Sequence, residues 1–268
     1  MQDATITAIY RYPVKGLSPE PLDTVEVEAG HMLPFDRAYA IENGSRDFDP
    51  INPKYFPKAT FLQLMTNEQL AALETRFDAG TQQLQILRGG KQVAAGNLSM
   101  PIGRQLIEQF LSAYMGSASR GAPHIVCADD HHFADVPDSF ISLINLASVR
   151  DIERVIGQPV DPLRFRGNIY VDGWQPWQER EMVGSRLSIN GTPMLTADAQ
   201  IDRCAATNVD PETGIRDLHI PRTLSDVFGH DTCGLYLSAI ADGGISVNAG
   251  VSVKPAQRSG LAGHDLGI

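Results

Sequence analysis

The chain has 268 residues, 43% of them hydrophobic and 20% charged, with 22 basic against 32 acidic side chains and a formal net charge of −10. That length supports one large domain or two modest ones around a sizeable core, and the acidic balance argues against a surface built for nucleic acid or an anionic membrane. No apolar run of about 18 residues occurs, the N-terminus lacks the pattern of a secretory signal, and three widely spaced cysteines point to a reducing cytoplasm rather than a disulfide framework.

TITAIYRY, residues 5–12, is a β-rich run closed by Pro13. TVEVEAG, residues 24–30, alternates and ends in glycine, and RAYAI, residues 37–41, reads as another short strand. Residues 43–58, broken by Pro50, Pro53 and Pro57, read as a loop. TNEQLAALETRF, residues 66–77, predicts a helix: Thr66 and Gln69 have capping-box spacing, and Leu70, Leu73 and Phe77 form one stripe. TQQLQILRGGKQVAA predicts a hairpin around Gly89 and Gly90. A second helix is expected over residues 100–115, capped by Ser99 and stopped by Gly116, with Ile102, Leu106, Phe110 and Tyr114 on its apolar face.

From about residue 121 the strands become shorter and the turns more frequent. FISLINL predicts a buried strand, SVRDIERVIG a helix with Ser148 near its start, and RFRGNIYV a further strand. RLSINGTPML predicts a hairpin, because Asn190-Gly191 suits the positive-φ positions of a type I′ turn. CGLYLSAI and GISVNAGVSV complete the strands. Many short strands and few helices predict an α+β fold, mainly β and barrel-like. The expected division is a β-barrel domain over 1–120, a second domain over 121–256, and a flexible tail over 257–268.

IDRCAATNVDPETG, residues 201–214, holds Cys204. By elementary physics a lone free cysteine is first a small buried hydrophobe. Arg203 before it, and Thr207, Asn208 and Asp210 after it, are unusually polar for the end of a core strand. ADDHHFAD, residues 128–135, offers His131, His132 and three aspartates, but neighbouring strand residues face apart, so an exposed loop is the expectation there. RGGK lacks the full phosphate-loop pattern, and neither GxSxG nor GxGxxG occurs. WQPWQE reads as packing. Lys15, Arg37, Arg164 and Arg166 are each read alone as solvated charges; together they can converge on one anion.

YPVKG, FDRAYAI, LINLASVRDI, FRGNI, WQEREMVGSRLSI, DRCAATNVDPETG and GISVNAGVSV follow one another in the order seen in the MOSC family, named for the C-terminal domain of molybdenum cofactor sulfurase. The chain resembles its amidoxime-reducing-component-like branch over about residues 4 to 254, and the RC…VDPxTG segment is the most specific element. The resemblance implies an N-terminal MOSC β-barrel domain joined to a MOSC domain, with a molybdenum cofactor (Mo-molybdopterin) bound across both. It implies Cys204 as the metal ligand, a soft thiolate suited to molybdenum. Lys15, Arg37, Arg166 and Asn168 match positions that hold the terminal phosphate and pterin edge, and Ser148 matches a helix-start serine, an anion site. Arg203, Thr207 and Asn208 would bind around the cofactor. Gly16 stands where many relatives have serine, and Gly167 where others have proline.

The implied activity is reduction of N-hydroxylated compounds, N–OH to N–H plus water, with Asp210 or water as proton donor. Electrons are expected from a separate soluble carrier, ferredoxin-like or cytochrome b5-like, and the partners include neither nucleic acid nor membrane. Two alternatives stand beside it: a sulfur-transfer protein carrying a Cys204 persulfide, and a non-catalytic carrier of the cofactor.

Overall fold

The computed structural model describes residues 3–255, and the expected tail falls outside them. The first part of the chain supplies β1 (Ala4–Arg11), β2 (Glu20–Leu22), β3 (Thr24–Val27), β4 (Ala40–Asn43), β5 (Glu74–Asp78), β6 (Gln83–Arg88) and β7 (Lys91–Asn97). Helix α1 (Pro101–Met115) and strand β8 (Pro123–Val126) follow. The second part supplies β9 (Ile141–Asn145), α2 (Leu146–Ile156), β10 (Ile169–Asp172), β11 (Arg186–Ile189) and β12 (Thr192–Asp202). Then come α3 (Ile220–Thr223), β13 (Thr232–Ala239), β14 (Gly243–Ser246) and β15 (Gly250–Lys254).

Seven strands close into a barrel in the order β10-β9-β13-β12-β11-β15-β1, with β1 pairing back onto β10. Closure removes the free edges an open sheet would leave. All pairs in it are antiparallel except β9–β10, which α2 joins as the single β–α–β crossover. Strand β9 is buried along its whole length, its polar Ser142 and Asn145 included. The β11–β12 hairpin turns at Asn190 and Gly191, both at positive φ, as the type I′ reading requires. Ile6, Leu143, Val171, Leu187, Leu195 and Leu237 are among the side chains filling the barrel.

The other lobe is built on the sheet β5-β6-β7, the pair β4–β8 and α1. It has a separate core that includes Leu70, Leu84, Ile107 and Leu111. Sheet membership does not follow the expected cut at 120. Strand β1 belongs to the C-terminal barrel, β3 pairs with β14, and β8 pairs back with β4. Among the described residues, those before 121 close no barrel of their own.

Two local expectations are corrected. Residues 66–77 are a short 3-10 turn, Glu68–Ala72, followed by β5. Leu70, Leu73 and Phe77 are buried all the same, because a turn followed by a strand can sink the same three side chains as a helix. Helix α1 forms as expected, but with Met100 at its N-cap and Pro101 in its first turn; Ser99 instead bonds to Asn97.

The buried face of α1 is Gly103, Ile107, Leu111 and Met115, whereas Ile102 is 62% and Leu106 48% exposed. Glycine decides this. Gly103 lies so close to β7 that a Cβ there would sit 2.0 Å from Asn97 O, and a Cβ on Gly96 would sit 2.2 Å from Gly103 O. Only a bare backbone on both sides admits that approach. Gly103→Ala should therefore destabilise the protein by about 3 kcal/mol in urea denaturation, as overpacking does, despite alanine's helix propensity. A neutral or stabilising result would contradict this packing.

No helix among the described residues is long and apolar enough to cross a membrane.

Candidate functional site

A cavity of about 330 Å³ opens between the end of the barrel and the other lobe. Five separate stretches of chain supply its charged wall. Lys15 follows β1, Arg37 precedes β4, and Lys58 begins the short 3-10 turn after the proline loop. Arg164 and Arg166 precede β10, and Arg203 follows β12. Cys204 lines the same cavity and is partly buried.

Each cation has a different set of commitments. Lys15, 5% exposed, spends its ammonium donors on Phe133 O at 2.8 Å, Ala134 O at 3.2 Å and the Asp135 carboxylate. Burial pulls its pKa down, and Asp135 opposes that. Arg37 pairs with the Asp36 carboxylate and donates to Arg166 O at 3.0 Å. Arg164 forks onto Asp217, at 2.8 and 2.9 Å, and reaches Asp210 at 3.2 Å. Its buried Nε–H has no partner.

Among the described residues Arg166 and Arg203 have no carboxylate partner. Arg203 donates to Cys233 O at 2.7 Å and Phe165 O at 2.8 Å. The Arg166 side chain makes one hydrogen bond there, to Leu17 O at 2.9 Å, and its guanidinium lies 4.2 Å from the centre of the Tyr12 ring. Arg37 lies over the same ring at 4.8 Å, so Tyr12 is shared by two cations. Burial lowers the Arg166 pKa, and Arg37 adds to that. Positive charge thus exceeds what the protein neutralises here, and most of the Arg166 fork is free to meet an anion.

Cys204 is held by its backbone. Its carbonyl accepts from Thr207 N–H at 3.0 Å and from Thr207 Oγ1 at 2.9 Å, which leaves the sulfur facing the cavity. Lys58 lines the same cavity, within electrostatic reach of that sulfur. Burial works against the Lys58 charge, but Cys204 and Asp135 more than offset it and raise its pKa.

Of the expected site residues, Lys15, Arg37, Arg166, Asn168, Arg203, Cys204 and Thr207 meet at this cavity. Asn168 is largely committed to the barrel. Its Oδ1 accepts from Ser142 N–H and Oγ, and its Nδ2 donates to Tyr10 O, so it braces β1 against β9.

Ser148, Asn208 and Asp210 are not brought to the cavity. Ser148 is fully buried and donates to Glu179 at 2.7 Å; Asn145, one residue before α2, is that helix's cap. Asn208 Oδ1 accepts from Ile220 N–H and caps the start of α3. The Asp210 carboxylate takes the N–H of Glu212 and the N–H and O–H of Thr213. Burial works against its charge, yet these bonds and Arg164 hold its pKa below the ordinary carboxylate value, so it carries no proton to give at neutral pH. Sequence reasoning placed it by motif; the turn it caps explains the motif.

Lys58, Asp135 and Tyr236 line the cavity and were missed. Asp135 closes the ADDHHFAD segment, which is neither a plain exposed loop nor a metal cluster. Phe133 in it is buried, and His132 Nδ1 donates to Asp36 O at 2.7 Å. No group of metal-ligating side chains occurs among the described residues. A buried aromatic between polar residues was the available signal. Lys58 carried none, because its position depends on how the proline loop folds back.

Gly16 also lines the cavity, at φ +87°, and a Cβ there would lie 2.7 Å from Leu62 O. That contact explains glycine where a serine is common. Trp174 and Trp177 are packing residues, Trp174 in the barrel core and Trp177 against Phe228.

Comparison with protein-family models matches residues 128–254 to the MOSC domain. A solved structure of the YUAD protein from Bacillus subtilis aligns over 96% of this chain and 100% of its own, at 13% identity and a TM-score of 0.45. Comparison with curated proteins gives no significant match.

Proposed function

Residues 128–254 form a MOSC domain, and on that footing we propose that the chain is a molybdenum-cofactor oxidoreductase that reduces N-hydroxylated compounds to the corresponding N–H compounds and water. One observation carries the reading: a cysteine sulfur and cations without carboxylate partners share one cavity. The residues fit the implied group. Free guanidinium donors on Arg166 and the unpartnered Nε–H of Arg164 suit a phosphate and a polar pterin edge, and Cys204 suits a soft metal.

When bound, the cofactor supplies two-electron oxygen-atom transfer. The chain does the rest. Arg166 and Arg37 hold the phosphate end, and Thr207 fixes the backbone from which Cys204 reaches the metal. Lys15 braces the segment 133–135 that forms one wall. Leu64, Val136 and Phe140 line the cavity with apolar surface and limit water beside the sulfur. With Asp210 occupied as a turn cap, water at the mouth supplies the protons. The two electrons come from a separate carrier.

The test is expression in a host that makes the cofactor, followed by metal analysis and fluorescence of the oxidised pterin released on denaturation. Molybdenum near one equivalent, with turnover of an amidoxime by a reduced viologen, is expected. A protein free of molybdenum would overturn the reading. Sulfane sulfur on Cys204 without pterin would favour sulfur transfer.

A further inference from the structure

We propose that Lys58 selects substrates bearing an anionic group, such as a carboxylate, within a few bonds of the N–OH. This inference rests on the reductase reading above and specifies its substrate class.

The cations of the cavity fall into two sets by what holds them. Lys15, Arg37 and Arg164 are paired with Asp135, Asp36, and Asp217 with Asp210. Arg203 is tied to two backbone carbonyls. Among the described residues this leaves two cavity cations that are held least: Arg166, with one side-chain hydrogen bond, and Lys58. They stand at different depths. Arg166 is partly buried behind Tyr12, against the Leu17 carbonyl, among the residues assigned to the phosphate end. Lys58 is partly exposed and belongs to the other lobe, and it lines the cavity together with Cys204. It forms no ion pair among the described residues.

A cation beside the reacting centre, on the solvent side, meets the substrate and not the phosphate. Asp135, the carboxylate whose charge acts on Lys58, is already taken by Lys15. Asp202 also lines the mouth, but it is exposed and makes no ion pair, so water screens it. Leu64, Val136 and Phe140 give the surrounding wall low polarity, which strengthens a charge-assisted hydrogen bond to Lys58. The backbone that carries the ammonium is fixed. Pro57 precedes it in extended backbone, and Lys58 O accepts from Phe61 N–H, closing the short turn on which it stands. An anionic substrate therefore orders only the lysine side chain, not the turn.

The experiment pairs an N-hydroxy-α-amino acid with its methyl ester. Both are measured on the full chain by calorimetric binding, and on the molybdenum-loaded protein by kcat/KM with a reduced viologen. The acid should be preferred about 10- to 100-fold. Lys58→Met should collapse the acid-to-ester ratio towards unity, Lys58→Glu should invert it, and Lys58→Arg should keep most of it. Equal treatment of acid and ester by the wild type, or a ratio unmoved in Lys58→Met, would overturn the proposal. The binding ratio reads Lys58 whether or not metal is present. Absence of molybdenum therefore sinks the reductase reading alone, and a flat binding ratio sinks this inference alone.

Discussion

Replacing Cys204 with alanine is expected to leave a folded protein that has lost bound molybdenum and at least about 100-fold in turnover. Losing a partner one shell removed from a metal already costs about 10- to 100-fold, so loss of the ligand itself sets that lower bound. Folding should be little affected. The Cys204 carbonyl, not its sulfur, receives the Thr207 bonds, and Arg203 N–H is fixed to Asp231 O at 2.9 Å. The melting temperature should stay within a few degrees of wild type, as for a partly exposed side chain. Cys204→Ser keeps the shape but offers a hard hydroxyl to a soft metal, and should lose molybdenum too.

The other thiols are the controls. Cys233 is wholly buried, and burial pushes its pKa up to about 12, so it is an inert part of the core. Cys233→Ala should lower stability by about 1 to 2 kcal/mol and leave metal content unchanged. Metal retained in full by Cys204→Ala, measured per folded protein, would remove Cys204 from the metal.

Arg166→Met should move stability and ligand retention in opposite directions. Arg166 is a cation held in a largely buried site without a carboxylate, facing a second cation across Tyr12. Charge kept out of water without a counterion costs stability, so its removal should leave the ligand-free protein as stable as wild type or more so. The losses are the bond to Leu17 O and the cation–π contact with Tyr12. Cofactor retention should fall about 10- to 100-fold, because a charged hydrogen bond to phosphate contributes about 1.5–3 kcal/mol. Inorganic phosphate gives a second readout. Millimolar phosphate should raise the melting temperature of ligand-free wild type and leave Arg166→Met unmoved. If phosphate stabilises both equally, the anion does not bind at Arg166.

Much of the secondary structure was legible because it is local. Asn190-Gly191 makes its hairpin wherever it lies, since the turn needs two residues tolerant of positive φ and two strands to join. Ile141, Leu143 and Ile144 mark β9 as a buried strand, while Ser142 and Asn145 are buried because Asn168 and Glu179 satisfy them. Residues 66–77 misled because three apolar side chains at helical spacing do not say which backbone delivers them. Period-2 pairing of β5 with β6 won over the helix. Helix α1 carries apolar residues on more than one face, and only the approach of Gly103 to Gly96 selects which one is buried.

The sequence by itself determined the strand-rich class, the hairpins and, through its ordered motifs, the family whose domain spans residues 128–254. It named Cys204 and the arginines before it could say where they meet. Tertiary structure alone decided that Arg166 stays unpaired while Arg164 and Lys15 do not, and that Asp210 and Asn208 serve turns rather than the cavity. It alone brought Lys58 into one cavity with Cys204 across 146 positions of chain. The physical reason is range. Turn and strand preferences act between neighbours, whereas charge pairing depends on distances set only once the barrel has closed and the second lobe has packed against it.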